Sequence, residues 1–355
     1  MRSRLNVRLT SHAILQALPF AAIAAVTMID LMVGTTLGFL PLLTLGPTFA
    51  SVYGSVRRTF AVGVVAMLVC LPLSLYNDVL GRWQGSVTLA TIAAVTGASM
   101  LAARLRLGRE RELANVRRVA EAAQRVLLRP VPRRAGDLDI ALSYTSAVAE
   151  ARIGGDLYEV VTTPYGVRLL IGDVQGKGLE AVETAAWVLG AFREAAYDEP
   201  GLAAVSARLE ATLARQLGEE EFVTAILAEV DDNGIHLLNH GHPPPLLLGR
   251  DGRVQKVEPT EEGLALGLAA LGPGEPRPQR VPFVAGDQLL LYTDGVIEAR
   301  DSGGAFYPLD ERVPLLLSRD PQVGLDALRA DLVEHVGGPL LDDAAMLLLH
   351  RQQAA

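Results

Sequence analysis

The chain has 355 residues, room for two or three domains, and its charge is divided unevenly. Residues 1–135 carry 16 Lys and Arg against 5 Asp and Glu, whereas residues 136–355 carry 16 against 35. A domain this acidic is a poor partner for nucleic acid, which gains its affinity from the neutralisation of phosphates. The single cysteine, Cys70, excludes a disulfide framework and a cysteine-rich zinc site.

Apolar segments in residues 1–103 predict a membrane region of about four transmembrane helices. The segments are 14–33, 37–56, 59–76 and 87–103. A spanning helix needs about 20 mostly apolar residues, and Pro41, Gly46 and Pro47 interrupt the second segment. The acidic Asp30 is expected near a membrane face or in the interior of the helix bundle. A signal peptide followed by buried core helices is the alternative, but a signal peptide explains one apolar segment and not four.

The arginines predict the orientation of these helices in a cell inner or plasma membrane. They lie before the first segment, between the second and third, and after the fourth: Arg2, Arg4, Arg8, Arg57, Arg58, Arg104, Arg106, Arg109 and Arg111. The other two loops hold only Arg82. Because cytoplasmic loops are enriched in arginine and lysine, we expect both ends of the region, and the acidic domain, in the cytoplasm.

Residues 104–135 are charged and favour helix, which predicts a helical linker. Within residues 113–127, apolar residues recur at spacings of three and four: Leu113, Val116, Ala120, Ala123 and Leu127. Pro130 and Pro132 then end the helix. This narrow seam fits a helix packed on its own domain, and it equally fits a parallel homodimer that carries a signal from the membrane. Two heptads do not decide between the two interpretations.

Residues 136–351 predict an α+β domain. Short β-rich segments such as "VRLLIGDV", "FVTAILAEV", "DQLLLYTD" and "AAMLLLHR" are separated by turn-forming sequences such as "TPYG" and "DDNG". Helical stretches occur around residues 179–197, 201–217 and 323–336. Strands linked by hairpins, together with a few helices, favour stacked antiparallel sheets flanked by helices.

Aspartates stand at the ends of the predicted strands. They are Asp156, Asp173, Asp294, Asp342 and Asp343. One such aspartate is usually a turn former or a helix cap, but several of them beside glycines or a second aspartate indicate a site. Because clustered carboxylates repel one another unless a cation compensates, and because oxygen ligands suit Mg²⁺ or Mn²⁺, the pattern predicts a metal site.

The stretch "IGDVQGKGLEA" is a strand, a tight turn and a helix start, where phosphate-binding loops are often found. A P-loop needs four residues between its first glycine and Gly-Lys, followed by Ser or Thr, and this turn has neither. A metal turn fits better, with a carboxylate from Asp173 and a second ligand from the Val174 carbonyl. Gly176 and Gly178 would allow the chain to turn tightly.

Six motifs in order resemble those of SpoIIE-type phosphatases, the bacterial branch of the metal-dependent PPM protein serine/threonine phosphatases. They are "GGDLYEV", "IGDVQGKGLEA", "FVTAILAEVD", "NHGHPPPLLL", "GDQLLLYTDGVIEA" and "DDAAMLLL". The resemblance implies a two-layer β-sandwich flanked by α-helices and two Mn²⁺ or Mg²⁺ ions bridged by an activated water. It implies that Asp156, Asp173 and the Val174 carbonyl are metal ligands, completed by Asp294 and the Asp342–Asp343 pair, with Asp342 favoured as the direct ligand.

No side chain is then needed as nucleophile, because hydroxide formed from the water attacks phosphorus. Lys177 and His242 could contact the phosphate, although a turn role is the simpler interpretation of each. Gln175, Lys177 and His240 depart from the commonest family pattern. None is a metal-ligand position, so they affect substrate or metal preference more than activity.

The resemblance also points to a phosphorylated anti-sigma-factor antagonist of the STAS type as substrate. A catalytically silent, membrane-tethered binding module with the same fold is the alternative, which the presence of every motif aspartate disfavours. A transporter with a regulatory domain is disfavoured because the spans carry so little charge. A sensor kinase is disfavoured because the sequence shows no nucleotide-binding glycine pattern.

Overall fold

The structure is a computed structural model that describes residues 2–33, 39–79, 82–145, 155–218, 221–232, 234–261, 263–272, 276–318 and 320–352. It divides into two compact units, Met1–Asn115 and Val116–Ala355. The boundary falls inside the predicted linker, residues 104–135. The structure separates two units and not three. The predicted division into a membrane region, a linker and a domain over 136–351 therefore stays a prediction.

The first unit is helical. Its elements are α1 (Arg2–Val33), a 3-10 turn (Leu40–Thr44), α2 (Leu45–Tyr53), α3 (Val56–Tyr76) and the first part of α4 (Trp83–Leu127). Their small and branched apolar side chains form one buried cluster that includes Ile23, Leu43, Val62 and Ile92. Gly46 is required at the crossing of α2 with α1, because a Cβ there would lie 2.7 Å from the Ile23 side chain.

Among the residues that the structure describes, three helices are long and apolar enough to cross a membrane, judged by length and composition: Leu15–Met32, Val56–Tyr76 and Trp83–Leu127. The second predicted span differs from the expectation, because the described part of it is the 3-10 turn and the short helix α2, Leu40–Tyr53. At a rise of about 1.5 Å per residue this segment is shorter than a hydrocarbon core of about 30 Å. Pro41 at the start of the 3-10 turn and Pro47 in the first turn of α2 explain the interruption.

The predicted interior position of Asp30 agrees with the structure. Its side chain is fully buried, and Asn77 Nδ2 donates a hydrogen bond of 2.7 Å to its carboxylate. The amide thus links α1 to the end of α3, which is how a polar pair is accommodated between apolar helices.

Helix α4 is continuous from Trp83 to Leu127 and so runs through most of the predicted linker, whose role stays a prediction. The seam itself is divided. Leu113 and Val116 are about half exposed, whereas Ala120 is buried against Val182 and Leu127 packs on the core of the second unit. Arg193 also donates to the Leu127 carbonyl at 2.7 Å, which satisfies a carbonyl at the helix end. The last turns of α4 therefore belong to the second unit.

The second unit contains two antiparallel sheets. One sheet has six strands in the order β1 (Arg134–Ala135), β2 (Leu138–Thr145), β11 (Ala344–Arg351), β10 (Gln288–Tyr292), β7 (Leu246–Leu248) and β8 (Val254–Lys256). The other has five strands in the order β3 (Asp156–Thr163), β4 (Gly166–Val174), β5 (Val223–Asp231), β6 (Gly234–His240) and β9 (Gln279–Val281).

Helices cover the outer faces of both sheets. They are α5 (Leu179–Asp198), α6 (Leu202–Leu213), α7 (Asp294–Ile297), α8 (Leu309–Arg312) and α9 (Pro321–Val336), with 3-10 turns at Ala269–Leu271 and Val313–Leu316. Helices α5 and α6 share a core with the five-stranded sheet, and α9 shares one with the six-stranded sheet. The predicted sandwich flanked by helices is confirmed.

Strand β4 shows how the sequence produces these layers. Leu169 and Ile171 belong to the core between the sheets, whereas Leu170 and Val174 belong to the core beneath α5 and α6. Since side chains alternate across a strand, a continuous apolar run is what a strand buried on both faces requires. The same run ends at Asp173, so burial of the strand carries that carboxylate to the rim of the sandwich.

The number of crossings decides the orientation, and cysteine labelling in intact cells measures it. In a chain with Cys70 replaced by Ala, we expect a membrane-impermeant thiol reagent to modify Gln84→Cys but neither Ser3→Cys nor Arg111→Cys, because the arginines favour the cytoplasmic side. Labelling of Ser3→Cys together with Gln84→Cys would instead show that only three helices cross.

Candidate metal site

The site begins with two aspartates that face each other across a hairpin. Asp156 is the first residue of β3 and Asp173 the last but one of β4, and the register pairs their Cα positions. Asp156 is buried, at 3% exposure. Pairing directly opposite in an antiparallel ladder brings side chains within reach of each other, so the register forces two carboxylates together.

Gly155 leaves a gap between these groups. A Cβ at this position would lie 2.6 Å from Asp173 Oδ1 and 2.4 Å from the Val174 carbonyl oxygen. The Val174 amide also donates to the Gly155 carbonyl at 3.1 Å, which fixes the two segments against each other. A residue without a Cβ is therefore needed at position 155, because the Asp173 carboxylate and the Val174 carbonyl oxygen both lie against it.

The turn after β4 agrees with the predicted tight turn. Gly176 and Gly178 have φ values of 96° and 98°, a conformation that favours glycine, and α5 starts directly afterwards. Between them Lys177 points back to the site, where its Nζ lies 2.7 Å from both oxygens of Asp342. Lys177 thus forms an ion pair with Asp342, which is a predicted metal ligand.

Asp294 and the Asp342–Asp343 pair arrive together from the six-stranded sheet. Asp294 begins α7 directly after β10, and the pair directly precedes β11. A Cβ at Gly295 would lie 1.7 Å from the Asp343 carbonyl oxygen, so only glycine permits this contact between main chains. Asp342 is exposed and Asp343 is buried at 3%.

Asp343 is held from behind by an aromatic residue. The Tyr144 hydroxyl, at the end of β2, donates to Asp343 Oδ2, and Gln124 Nε2 on α4 donates to that hydroxyl at 3.0 Å. Asp342 instead presents its carboxylate to Lys177 and accepts from the Asp343 amide. Of the two, Asp342 is the more accessible, and its role as the direct ligand stays a prediction.

Thr293 connects the Asp156 carboxylate to the main chain of the six-stranded sheet. Its hydroxyl donates to Asp156 Oδ2 at 2.9 Å and accepts from the Ala345 amide at 2.9 Å. It is fully buried. Thr293, which follows a strand of the six-stranded sheet, therefore orients the carboxylate of Asp156 in the five-stranded sheet.

The carboxylates raise one another's pKa. Burial raises the pKa of Asp156 well above its usual range, and the charge of Asp173 adds to it. The pKa of Asp173 rises to about 7, through burial first and then the charges of Asp294 and Asp342. Burial also raises the pKa of Asp294, with Glu298 and Asp342 contributing. These groups lie close enough to repel, and a divalent cation is the natural compensation.

The donor set fits Mn²⁺ or Mg²⁺ in chemistry, because it consists of carboxylate and carbonyl oxygens around the gap at Gly155. Among the described residues, no group of three or more His, Cys, Asp or Glu side chains is arranged so that it could hold a metal ion. In this arrangement Lys177 neutralises Asp342, Tyr144 holds Asp343 and Thr293 holds Asp156. For Asp342 to bind an ion, its carboxylate would have to give up its contact with Lys177.

The predicted phosphate contact of His242 is not supported, because the residue is 4% exposed. Its Nδ1 lies 3.0 Å from the Thr224 hydroxyl, and Asn239 binds both main-chain groups of the residue. His240 is likewise buried, with Nε2 2.9 Å from the buried Ser206 hydroxyl. Burial lowers the pKa of His240 to about 4 and that of His242 to about 3, so both are neutral core residues at pH 7.

The roles of Tyr144 and Thr293 at the site were not predicted from the sequence. Thr293 carried a usable signal, since a hydroxyl between an apolar strand and Asp294 in "LLLYTDG" stands out. Tyr144 carried none, because its partner Asp343 is 199 positions away in the chain.

A known protein family matches the part of the chain that carries most of these motifs. The family described as Stage II sporulation protein E (SpoIIE) matches residues 163–352, more than half of the chain. The match begins after Asp156 and includes the other predicted ligands.

Solved structures share the fold of the second unit. A structure of the RsbU and RsbW domains of Rv1364c from Mycobacterium tuberculosis is 28% identical, covers 61% of this chain and 61% of that chain, and has a TM-score of 0.51. The SiaA-PP2C domain of Pseudomonas aeruginosa is 18% identical, covers 68% and 98%, and has a TM-score of 0.58.

The PP2C phosphatase domain of SpoIIE from Bacillus subtilis, solved with a fragment of its regulatory domain, is 16% identical. That match covers 61% of this chain and 64% of that chain, with a TM-score of 0.53. The chain thus spans about three fifths of the length of this structure and of the Rv1364c structure.

Loss of the Tyr144 hydroxyl should weaken metal binding. In Tyr144→Phe we expect Mn²⁺ affinity, measured by calorimetry, to fall by about tenfold, because groups that orient metal-site carboxylates have effects of this size. Tyr158→Phe is the matched control, since Tyr158 lies on β3 of the other sheet with its ring 6.2 Å from that of Tyr144. Equal affinities for the two variants would show that Tyr144 does not position the site.

Proposed function

The chain belongs to the SpoIIE family, and from this premise we propose that it is a membrane-anchored, metal-dependent protein serine/threonine phosphatase. The observation that carries the proposal is the convergence of carboxylates from both sheets: Asp156 and Asp173 face each other at Gly155, and Asp294 and Asp342 lie close enough for their charges to raise the pKa of Asp173. Such a group of oxygen ligands has no use in a packed core, where it is costly, and it suits the transfer of a phosphoryl group to water.

The proposed cofactor is a pair of Mn²⁺ or Mg²⁺ ions. When bound, the ions lower the pKa of a water and neutralise phosphoryl oxygens. Asp156, Asp173 and the Val174 carbonyl hold them from the five-stranded sheet, and Asp294 and Asp342 from the other. Asp343 positions its neighbour through Tyr144.

The protein's own residues then act on the substrate. Ser206 and His240 are buried, so this serine–histidine pair offers no nucleophile, and attack by water is the route that the site supports. Lys177 is the residue of the site that would bind a phosphate oxygen, because its ammonium group lies at Asp342 and would be free for the substrate if Asp342 held a cation instead.

A catalytically silent module is the second candidate, and one observation favours it. The Lys177 ammonium already supplies a positive charge to Asp342, with both oxygens at 2.7 Å. A protein in which this ion pair persisted would keep the fold and bind partners without turnover. Metal titration separates the two candidates, because a silent module of this kind binds no second ion.

The proposed substrate is a phosphoserine or phosphothreonine on a STAS-type anti-sigma-factor antagonist, and nucleic acid is not a partner. Residues 136–355 carry 35 acidic against 16 basic residues, so the domain favours a partner with a neutral or basic rim. We place the domain on the cytoplasmic side of the cell membrane. The exposed Leu113 and Val116 leave half of the predicted seam available for a homodimer.

Removal of single carboxylates tests the site. We expect Asp173→Ala or Asp294→Ala to abolish hydrolysis of a phosphoserine peptide in saturating Mn²⁺, because lost metal charge costs several kcal/mol of transition-state stabilisation. EDTA should do the same to the wild type. Asp326→Ala, an exposed aspartate on α9, is the control and should retain activity. Activity within about threefold of wild type in either site variant would refute the assignment.

Comparison of substrates tests the partner. We expect kcat/KM for a phosphorylated STAS protein to exceed that for an isolated phosphopeptide of the same sequence by at least about tenfold, which is about 1.4 kcal/mol of differential binding. ATP should be poor, since the sequence shows no nucleotide-binding loop. A peptide as good as the folded protein would refute surface recognition, and preference for ATP would refute protein phosphatase activity.

A further inference from the structure

A cleft opens directly beside the carboxylate site. It has a volume of about 220 Å³ and is lined by Gly295, Glu298, Arg300, Val336, Leu341 and Asp342 among others. One end is formed by Asp342 and by the residue after Asp294. The cleft therefore begins at predicted metal ligands and leads away from them, along the segment that follows α7.

The lining of the cleft includes a positive charge, that of Arg300. The Arg300 guanidinium lies 4.0 Å from the centre of the Phe306 ring, and Arg300 and Phe306 are also bridged through their main chains. Arg300 is exposed, and within the described ranges no carboxylate forms an ion pair with it. In a domain with so many carboxylates, Arg300 stacks on an aromatic ring and pairs with none of those that the structure describes. Its guanidinium is therefore available to bind an anionic ligand.

The segment that presents Arg300 is held rigidly. Asp301 Oδ1 accepts from the Gly303 and Ala305 amides, and the Tyr307 amide donates to the Ala299 carbonyl at 2.8 Å. The Tyr307 hydroxyl donates to Asp331 on α9 at 2.8 Å. The guanidinium is thus fixed in position before any ligand arrives, which limits the entropy lost on binding.

The opposite wall of the cleft is apolar and exposed. Leu341 is 75% exposed and directly precedes Asp342, whereas Leu340 is buried at 3%. An exposed leucine beside a carboxylate site contributes nothing to the core. It offers a contact for the apolar part of a chain that lies across the cleft.

We propose that this cleft receives the residues next to the phosphorylated side chain of the substrate, and that Arg300 selects an acidic residue among them. The inference rests on the proposed phosphatase function, since the phosphate must occupy the Asp294–Asp342 end. A substrate then has one carboxylate for Arg300 and a neutral or basic surface elsewhere. Glu298, on the Asp294 side, repels a carboxylate that enters in the wrong place.

The test uses two phosphoserine peptides that differ only in carrying glutamate or lysine three residues from the phosphoserine on either side, with p-nitrophenyl phosphate as a substrate too small to reach Arg300. The full chain in detergent is assayed with Mn²⁺. We expect the wild type to prefer the glutamate peptide by about fivefold in kcat/KM. In Arg300→Glu the preference should reverse, with hydrolysis of p-nitrophenyl phosphate within about twofold of wild type.

Two controls separate charge from structure. Arg300→Lys keeps the charge and should retain the preference for glutamate, and Arg329→Glu makes the same charge change at an exposed site on α9 and should leave the ratio unaltered. An unchanged peptide ratio in Arg300→Glu, or an equal fall for all three substrates, overturns the inference alone. Absence of hydrolysis of every substrate by the wild type overturns the proposed function and the inference with it.

Discussion

The repulsion among carboxylates at the rim of the sandwich is the constraint on which the site depends. Asp156 and Asp173 are paired by the β3–β4 register, and Asp294 and Asp342 add their charges. Burial in a poorly polarisable interior makes each negative charge more costly, so their pKa values rise together. Bonds from Thr293 and Lys177 offset part of the cost. The repulsion that remains uncompensated is what a divalent cation at this rim would relieve.

Antiparallel pairing explains why the carboxylates meet at all. In each sheet one strand ends where its partner begins: β4 ends beside the start of β3, and β10 ends beside the start of β11, with Tyr292 opposite Met346. Each pair therefore presents an aspartate from a strand end together with one from a strand start. Stacking the sheets brings the two pairs to one rim, and Thr293 ties them by binding Asp156 and Ala345. The site thus combines two similar strand pairs, β3–β4 from one sheet and β10–β11 from the other.

How far the sequence predicts this arrangement depends on the range of each interaction. The apolar run before Asp173 and the paired glycines at 176 and 178 are local signals, and they predicted the strand and the turn. The Tyr144–Asp343 bond and the Lys177–Asp342 pair join distant parts of the chain, so no local pattern shows them. The described part of the second predicted span is not a single helix, because Pro41 and Pro47, whose interruption the sequence shows, divide the apolar segment into a 3-10 turn and a short helix. The seam on α4 was ambiguous for a related reason, since one apolar stripe serves either a domain or a second helix.

The charge of the domain sets the last requirement. A phosphorylated substrate approaches a surface with more than twice as many acidic as basic residues, so long-range electrostatics oppose its arrival. Cations must therefore act locally, and the described rim has two: Lys177, held by Asp342, and Arg300, held over Phe306. The first becomes available only when Asp342 takes another partner, whereas the second is available at all times. An ion at Asp342 would thus complete the site and free Lys177 in one event, which couples readiness for phosphate to occupancy by the metal.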